Sequence, residues 1–343
     1  VRADADPLTI RIVRGDCRDV LKQLEAGSVQ CCVTSPPYFG LRDYGTGTWS
    51  GGDPACDHRQ GRPGAGRADG VVDDRAQRNR DGVGAMGGDC RKCGAVRIDQ
   101  QIGLEASPDA YVAEMVAVFR EVWRVLRDDG TVWLNLGDSY ANDTKWGGSS
   151  GGKHVAALHG DTGVGRGKQA TGLKSKDLMM IPARVALALQ ADGWYLRSDV
   201  IWHKPNPMPE PVTDRPTSSH EHIFLLTKQP AYFYDADAVK EPADPFNGSL
   251  TRNLRNVWTI AIAPYPEAHF ATFPPDLAER CIKAGSKTGD TILDPFFGAG
   301  TTGLVADRLG RHAIGIDLNG QYVAMSENRI RRDSPLFAEV IST

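Results

Sequence analysis

Two short stretches hold residues whose types and spacing suit chemistry. The first is Asp294-Pro295-Phe296-Phe297-Gly298-Ala299-Gly300-Thr301-Thr302-Gly303, between a predicted strand, Thr291 to Asp294, and a predicted helix, Thr301 to Leu309. Glycines at such a turn let a ligand approach the backbone. Asp317 stands seventeen residues beyond Gly300, at the end of the next predicted strand, where it can accept hydrogen bonds from ribose hydroxyls. As a glycine pattern alone the turn would admit NAD. A carboxylate at Asp294, however, repels a pyrophosphate and attracts the ammonium of a methionine-like group, so S-adenosylmethionine fits better. The second stretch, Thr34-Ser35-Pro36-Pro37-Tyr38-Phe39, follows a short apolar run. Ser35 and the Pro36 carbonyl can accept from an amino group, and Tyr38 or Phe39 offers a ring to a planar base. Alone, this second stretch reads as a proline turn beside a core aromatic.

A third set is metal-like. Cys56-Asp57-His58 and Cys90-Arg91-Lys92-Cys93-Gly94 supply three thiols and an imidazole, enough for a closed tetrahedral zinc site at Cys56, His58, Cys90 and Cys93. The Cys-x-x-Cys-Gly half is a zinc-knuckle pattern, whereas the one-residue gap before His58 is tight and leaves Asp57 or a water as its substitute. Reduced, unliganded cysteines are the plain alternative.

The elements that must position these residues follow from periodicity. Helices are predicted over Asp16 to Ala26, Pro108 to Leu126, Asp177 to Ala191, Pro274 to Ala284, Thr301 to Leu309 and Tyr322 to Arg332. Strands are predicted over Val29 to Val33, Thr131 to Leu136, Tyr195 to His203, His222 to Thr227, Thr291 to Asp294 and Ala313 to Ile316. Strands alternating with helices imply an α/β fold with a mostly parallel sheet covered on both faces. Two glycine-rich interruptions break the pattern. Residues 59–89 hold eight Gly, six Arg and five Asp, a composition that cannot repay its ordering entropy; residues 145–176 hold nine Gly and a local charge of +5.

The 343 residues are 41% hydrophobic and 24% charged, ordinary for a globular chain, and 40 Lys+Arg against 43 Asp+Glu exclude a globally basic nucleic-acid coat. No run of eighteen apolar residues occurs and the first residues lack the apolar core of a signal peptide, so the expectation is a soluble cytoplasmic protein with no membrane partner. Seven cysteines, an odd number, do not suggest a disulfide framework.

Together the two loops resemble the exocyclic-amino DNA methyltransferases, which carry a (Ser/Asp/Asn)-Pro-Pro-(Tyr/Phe) catalytic motif and an Asp-Pro-Phe-x-Gly-x-Gly cofactor motif. The catalytic motif comes first here, which is similar to the class β permutation. Gly15-Asp16-Cys17, Gly130 to Asp138, Trp202-His203-Lys204-Pro205, His220-Glu221-His222 and His269 to Pro274 extend the resemblance. It implies a Rossmann-like S-adenosylmethionine-dependent methyltransferase fold, a seven-stranded sheet with one antiparallel member near the edge, and a zinc-knuckle insertion. It also implies a catalytic set of Ser35, Pro36, Pro37 and Tyr38. Its implied cofactor set is Asp16 (adenine), Asp317 (ribose), Asp294 with Gly298 and Gly300 (methionine end), Phe270, Ala271, Thr272 and Phe273 (pocket wall), and, without a separate role, Cys17, Phe296, Thr301 and Thr302.

Residues 8–343 then form one permuted domain, with a catalytic half at 8–228, a cofactor half at 265–335 and insertions at 50–100 and 145–176. Phosphate contacts in double-stranded DNA fall to Lys145, Lys153, Arg166, Lys168, Lys174 and Lys176. Arg252, Asn253, Arg255 and Asn256, within a target-recognition segment at 229–264, are candidates for base edges. Family members with Ser at the first catalytic position mostly modify cytosine N4, and those with Asp or Asn mostly adenine N6; Ser35 favours cytosine and leaves adenine open. A homodimer and a cognate restriction endonuclease stay open as partners. Outside this class, the alternatives are a NAD-dependent oxidoreductase and a non-catalytic zinc-containing DNA-binding module.

Overall fold

A computed structural model describes residues 8–40, 44, 46–58, 90, 92–141, 172–243, 249–263, 274–333 and 338–343. The chain divides into two compact units, one of residues 1–38, 112–138 and 180–343 and the other of residues 39–111 and 139–179.

In chain order the strands are β1 (Leu8–Arg14), β2 (Val29–Thr34), β3 (Thr48–Ser50), β4 (Val96–Ile98), β5 (Leu126–Leu136), β6 (Tyr195–His203), β7 (His220–Thr227), β8 (Glu241–Pro242), β9 (Thr251–Arg252), β10 (Val257–Thr259), β11 (Thr291–Asp294), β12 (His312–Asp317) and β13 (Ala338–Ser342). The helices are α1 (Cys17–Gln23), α2 (Pro108–Val125), α3 (Ile181–Ala191), α4 (Pro275–Gly285), α5 (Thr301–Arg308) and α6 (Gly320–Asp333).

The first unit is built on a nine-stranded sheet in the order β10-β6-β7-β5-β2-β11-β12-β1-β13. β7 runs antiparallel to both β5 and β6, and the other pairings are parallel. Seven of these strands answer the expected sheet, and the short β10 and β13 extend it at either edge. Consecutive residues of β5, from Val132 to Leu136, are all buried, so both faces of the sheet are covered. On one face Leu277, Cys281 and Ile282 of α4, Leu304 and Val305 of α5, and Val323 and Ile330 of α6 pack with Ile12, Cys31, Trp133, Ile223 and Ile292 of the strands.

Helix α3 starts at Ile181 rather than Asp177, because Pro182 lacks an N–H and suits a first turn, and Met180 before it takes a left-handed conformation. Asp138 Oδ1 accepts from Ile181 N at 3.1 Å and so caps the helix from β5's end. The second unit carries the antiparallel pair β3–β4 and the bridge between Tyr140 and Leu178. Among the described residues no helix is long and apolar enough to cross a membrane.

Candidate active site and metal centre

β2 and β11 are parallel neighbours, with Cys31 opposite Ile292 and Cys32 opposite Leu293. The chain leaves β2 toward β5 on one side and β11 toward β12 on the other, so the strand order reverses between them. At such a switch point the loops at the carboxyl ends diverge and leave a crevice. The two loops singled out in the sequence are the ones that border it.

The glycine loop is shaped by its own backbone. Gly300 takes φ +75° ahead of α5 and donates to Phe297 O at 2.9 Å; a Cβ there would lie 2.6 Å from Ser326 Cβ. Gly298 also has positive φ (+50°), and a Cβ built on it meets only Phe296 O at 4.0 Å, so the space before it is open. Asp317, half-buried, accepts from Gly298 N at 2.7 Å and Asn319 N at 2.8 Å. Burial pushes its carboxyl up to about 6 against the pull of those two amides.

Asp294 is enclosed. Only 1% exposed, it accepts from Thr34 Oγ1 at 2.6 Å, Thr302 Oγ1 at 2.7 Å and Phe296 N at 3.1 Å. Burial raises this carboxyl to about 6, with those three donors working the other way. The carboxylate braces β2 against helix α5 of the glycine loop, and its three donors leave part of its acceptor capacity unused. Thr302 belongs to the same brace, and Thr301 Oγ1 is taken by Arg329 at 3.0 Å.

Asp16 caps α1, accepting from Arg18 N at 2.9 Å, and its carboxylate also pairs with the Arg18 guanidinium. Burial opposes ionisation there, but the Arg18 bonds hold the carboxyl below its usual value. Cys17 is buried, so only its backbone can serve a ligand. Phe270, Ala271, Thr272 and Phe273 lie outside the described residues.

Ser35 is half-buried and Pro36 buried, and both sit directly beyond β2. Tyr38 is packed over Gly137, where a Cβ would lie 2.6 Å from its ring. Its hydroxyl donates to Glu221 Oε2 at 2.6 Å, with Asn135 Oδ1 at 3.2 Å and Ser35 Oγ at 3.4 Å. Asn135 Nδ2 donates to the same Glu221 oxygen at 3.1 Å, and Lys204 Nζ pairs with Glu221 Oε1. Asn135, Lys204 and Glu221 have no individual role in the sequence reading. The available signal was a charged residue, Glu221, between two histidines at the head of a strand whose centre, Ile223 to Leu226, is apolar.

In the second unit, Cys56, His58, Cys90 and Cys93 offer ligand atoms all within 4.8 Å of one another. Cys56 Sγ and Cys90 Sγ are 3.7 Å apart, close to the ~3.8 Å that a tetrahedral ion with Zn–S bonds of ~2.3 Å requires. Gly94, at φ +73°, donates to Cys90 O at 2.7 Å and closes the knuckle. His58 stacks on Trp49 with ring centroids 5.2 Å apart, and Lys92 pairs with Asp57 at 2.6 Å, joining the two halves. The donor set and spacing suit zinc. All seven cysteines are free.

Of the residues expected on DNA, Lys174 and Lys176 are exposed, and Lys145, Lys153, Arg166 and Lys168 lie outside the described residues. Arg252 and Arg255 are exposed, but both guanidinium groups are held by one carboxylate oxygen, Glu241 Oε1, at 2.7 and 2.5 Å. Asn256 Nδ2 donates to Asp199 O at 3.1 Å.

An open, doubly wound sheet with a glycine turn and a proline loop meeting at its switch point defines the architecture of this α/β protein. The family model described as DNA methylase, of the N6/N4 type, matches residues 29–328, and the chain belongs to that family. It is 42% identical over 332 residues to the type II methyltransferase M.XycI of Xanthomonas campestris pv. cyanopsidis, which takes in 95% of this chain and 90% of the relative. With M.Cfr9I of Citrobacter freundii it shares 41% over 333 residues, at the same coverage of 95% and 90%. Among solved structures it resembles TTHA0409, a putative DNA modification methylase of Thermus thermophilus complexed with S-adenosyl-L-methionine (TM-score 0.58, 22% identity, 97% of this chain and 98% of that one). It also resembles the cytosine-N4-specific PvuII DNA methyltransferase (TM-score 0.58, 17% identity, 98% and 96%). The chain is therefore a DNA methyltransferase of the N6/N4 type.

Proposed function

We propose that this protein methylates the exocyclic N4 of cytosine in duplex DNA, with the target base turned out of the helix and S-adenosylmethionine as methyl donor. The observation that carries the reading is the placement of Ser35-Pro36-Pro37-Tyr38 and the glycine loop on neighbouring parallel strands at one switch point. Bound there, the cofactor supplies an electrophilic methyl group on a sulfonium.

The residues present suit that cofactor. The space before Gly298 is open to a close backbone approach, and the half-buried Asp317 provides acceptors for ribose hydroxyls. The amino group of cytosine is a poor nucleophile because its lone pair is delocalised into the ring, so positioning matters most. Ser35 Oγ and the Pro36 carbonyl accept from that amino group and stabilise the positive charge that develops on it. The Tyr38 ring holds the extruded base by stacking. Ser35 rather than Asp or Asn at the first position supports cytosine.

The zinc set orders β3–β4, a staple for a small two-stranded pair. Lys174 and Lys176 contact phosphates, and Arg252 and Arg255 turn from Glu241 to DNA. The proposed organisation remains one permuted domain, with 229–264 as the recognition segment. The type II relatives support a place beside a cognate restriction endonuclease.

The test is methylome sequencing of DNA from cells expressing the chain, read with a chemistry that separates N4-methylcytosine from N6-methyladenine. N4-methylcytosine at one sequence is expected. N6-methyladenine instead would overturn the choice of base, and neither mark would overturn the activity. In vitro, Ser35→Ala should lose turnover while DNA affinity stays within about twofold.

A further inference from the structure

Beside Ser35 a chain of hydroxyls ends on an ion pair. Ser35 Oγ donates to Tyr38 Oη at 3.4 Å, and Tyr38 Oη donates to Glu221 Oε2 at 2.6 Å. Glu221 also accepts from Asn135 Nδ2 at 3.1 Å and from Lys204. The contributing groups come from four places in the chain: the loop after β2, the end of β5, the residue after β6 and the head of β7. Lys204 is held on a second side, its ammonium 4.4 Å from the centroid of the Trp202 ring, whose indole N–H donates to Ile260 O at 2.8 Å. The Lys204 and Glu221 side chains are only 17% and 15% exposed. A buried ion pair is weak evidence for stability, since apolar replacements often serve as well, so its aim at Tyr38 calls for another reason.

The reason lies in hydrogen-bond polarity. An ionised carboxylate only accepts, so the single hydrogen of Tyr38 is drawn to Glu221 and the phenol oxygen is left to accept from Ser35. The single hydrogen of Ser35 is then aimed at Tyr38, and the lone pairs of Oγ are left to accept. We infer that Glu221, with Lys204 as counter-ion, fixes this direction so that Ser35 Oγ meets the target amino group as an acceptor, and that Glu221 receives through Tyr38 the proton the amino group sheds. The inference rests on the reading of Ser35 given above and adds to it the destination of the proton.

The balance is complete. The amino nitrogen forms its bond to the methyl carbon as the carbon–sulfur bond breaks, and it is left with a positive charge and one proton too many. That proton passes to Ser35 Oγ, the Ser35 proton to Tyr38 Oη and the Tyr38 proton to Glu221 Oε2. Glu221 ends neutral beside Lys204 and returns its proton to solvent before the next turnover. The 3.4 Å link is long, as catalytic hydrogen bonds often are before substrate closes the site.

The experiment compares Glu221→Gln, Tyr38→Phe and the double variant. Single-turnover transfer of a tritiated methyl group from S-adenosylmethionine to unmodified genomic DNA gives the rate. Equilibrium DNA binding and calorimetry with S-adenosylhomocysteine give the affinities. Each single variant should slow transfer by ~100-fold with both affinities within about twofold of wild type. The double variant should be no slower than the slower single one, because both cut the same chain. Lys204→Met, which leaves the carboxylate without its counter-ion, should slow transfer as well, by about tenfold. A Glu221→Gln rate near wild type, multiplying losses in the double variant, or a parallel loss of S-adenosylhomocysteine binding would each overturn the inference. If Ser35→Ala is slow while Glu221→Gln is not, this inference falls alone; if Ser35→Ala keeps full turnover, the reading of the site falls with it.

Discussion

The glycine loop after β11 and the proline loop after β2 leave neighbouring strands at one edge, yet they are held in opposite ways. In the glycine loop Phe297 N donates to Ile316 O, Gly298 N to Asp317 and Gly300 N to Phe297 O, so the partners lie within about twenty residues of one another. Pro36 and Pro37 have no N–H to give, and the loop that contains them cannot close on its own backbone. Its anchors are side chains: Thr34 reaches Asp294, 260 residues away, and Tyr38 reaches Asn135 and Glu221, 97 and 183 residues away. The cofactor loop is thus shaped locally, whereas the catalytic loop takes its shape from the assembled sheet. Asp294 joins the two, since it begins the first loop and braces the second.

The comparison can be broken most strongly at Gly300. Alanine there meets Ser326 at 2.6 Å in a backbone conformation that disfavours a side chain, and Gly300→Ala should cost ~3 kcal/mol. Thermal unfolding would show the loss and calorimetry a weakened S-adenosylhomocysteine affinity. Cutting the joint is the next largest effect. Asp294→Ala leaves Thr34 and Thr302 without their acceptor and should cost ~2 kcal/mol. Because burial raises the folded carboxyl to about 6, above the unfolded value, this group favours the folded state at low pH and that contribution fades as pH rises through about 6. Denaturation curves of Asp294→Ala should therefore lack that part of the decline.

Asp317 sharpens the comparison within the cofactor loop. Its carboxyl is also raised to about 6, and in the proposed role it accepts from ribose hydroxyls more strongly when ionised. S-adenosylhomocysteine affinity should fall by about tenfold from pH 7 to pH 5, and Asp317→Asn should bind weakly with no such slope. Calorimetry across that range checks it. The smallest effect on either loop should come from the metal. The purified chain should carry about one equivalent of zinc, and Cys90→Ser should lower that content in elemental analysis while S-adenosylhomocysteine affinity stays within about twofold.

Periodicity and punctuation make the central elements legible. Tyr195–His203 and Thr291–Asp294 fall at their expected bounds. The outer strands escape such a reading: Leu8–Arg14, next to one edge, alternates only imperfectly, and the edge strands Ala338–Ser342 and Val257–Thr259 are short, so their strand state depends on a partner already in place. Cys56 with His58 and Cys90 with Cys93 are legible because the spacing within each half is a local pattern, although the halves stand 34 residues apart. Arg252 and Arg255 are legible as cations, but not as partners of Glu241, which stands 11 and 14 residues before them along the chain and, for Arg252, directly across a strand pair in space.

The sequence by itself determined the alternation of strands and helices, the glycine turn, the proline loop and the ligand types of the metal set, because each depends on residues within a turn or two of one another. Tertiary structure alone decided that Asp294 is buried and braces β2 against α5, and that Lys204, Glu221 and Asn135 converge on Tyr38. Burial and ion pairing depend on which strands become neighbours. β2 beside β11 and β5 beside β7 bring together side chains that stand 86 to 260 residues apart along the chain, and no local pattern encodes that proximity.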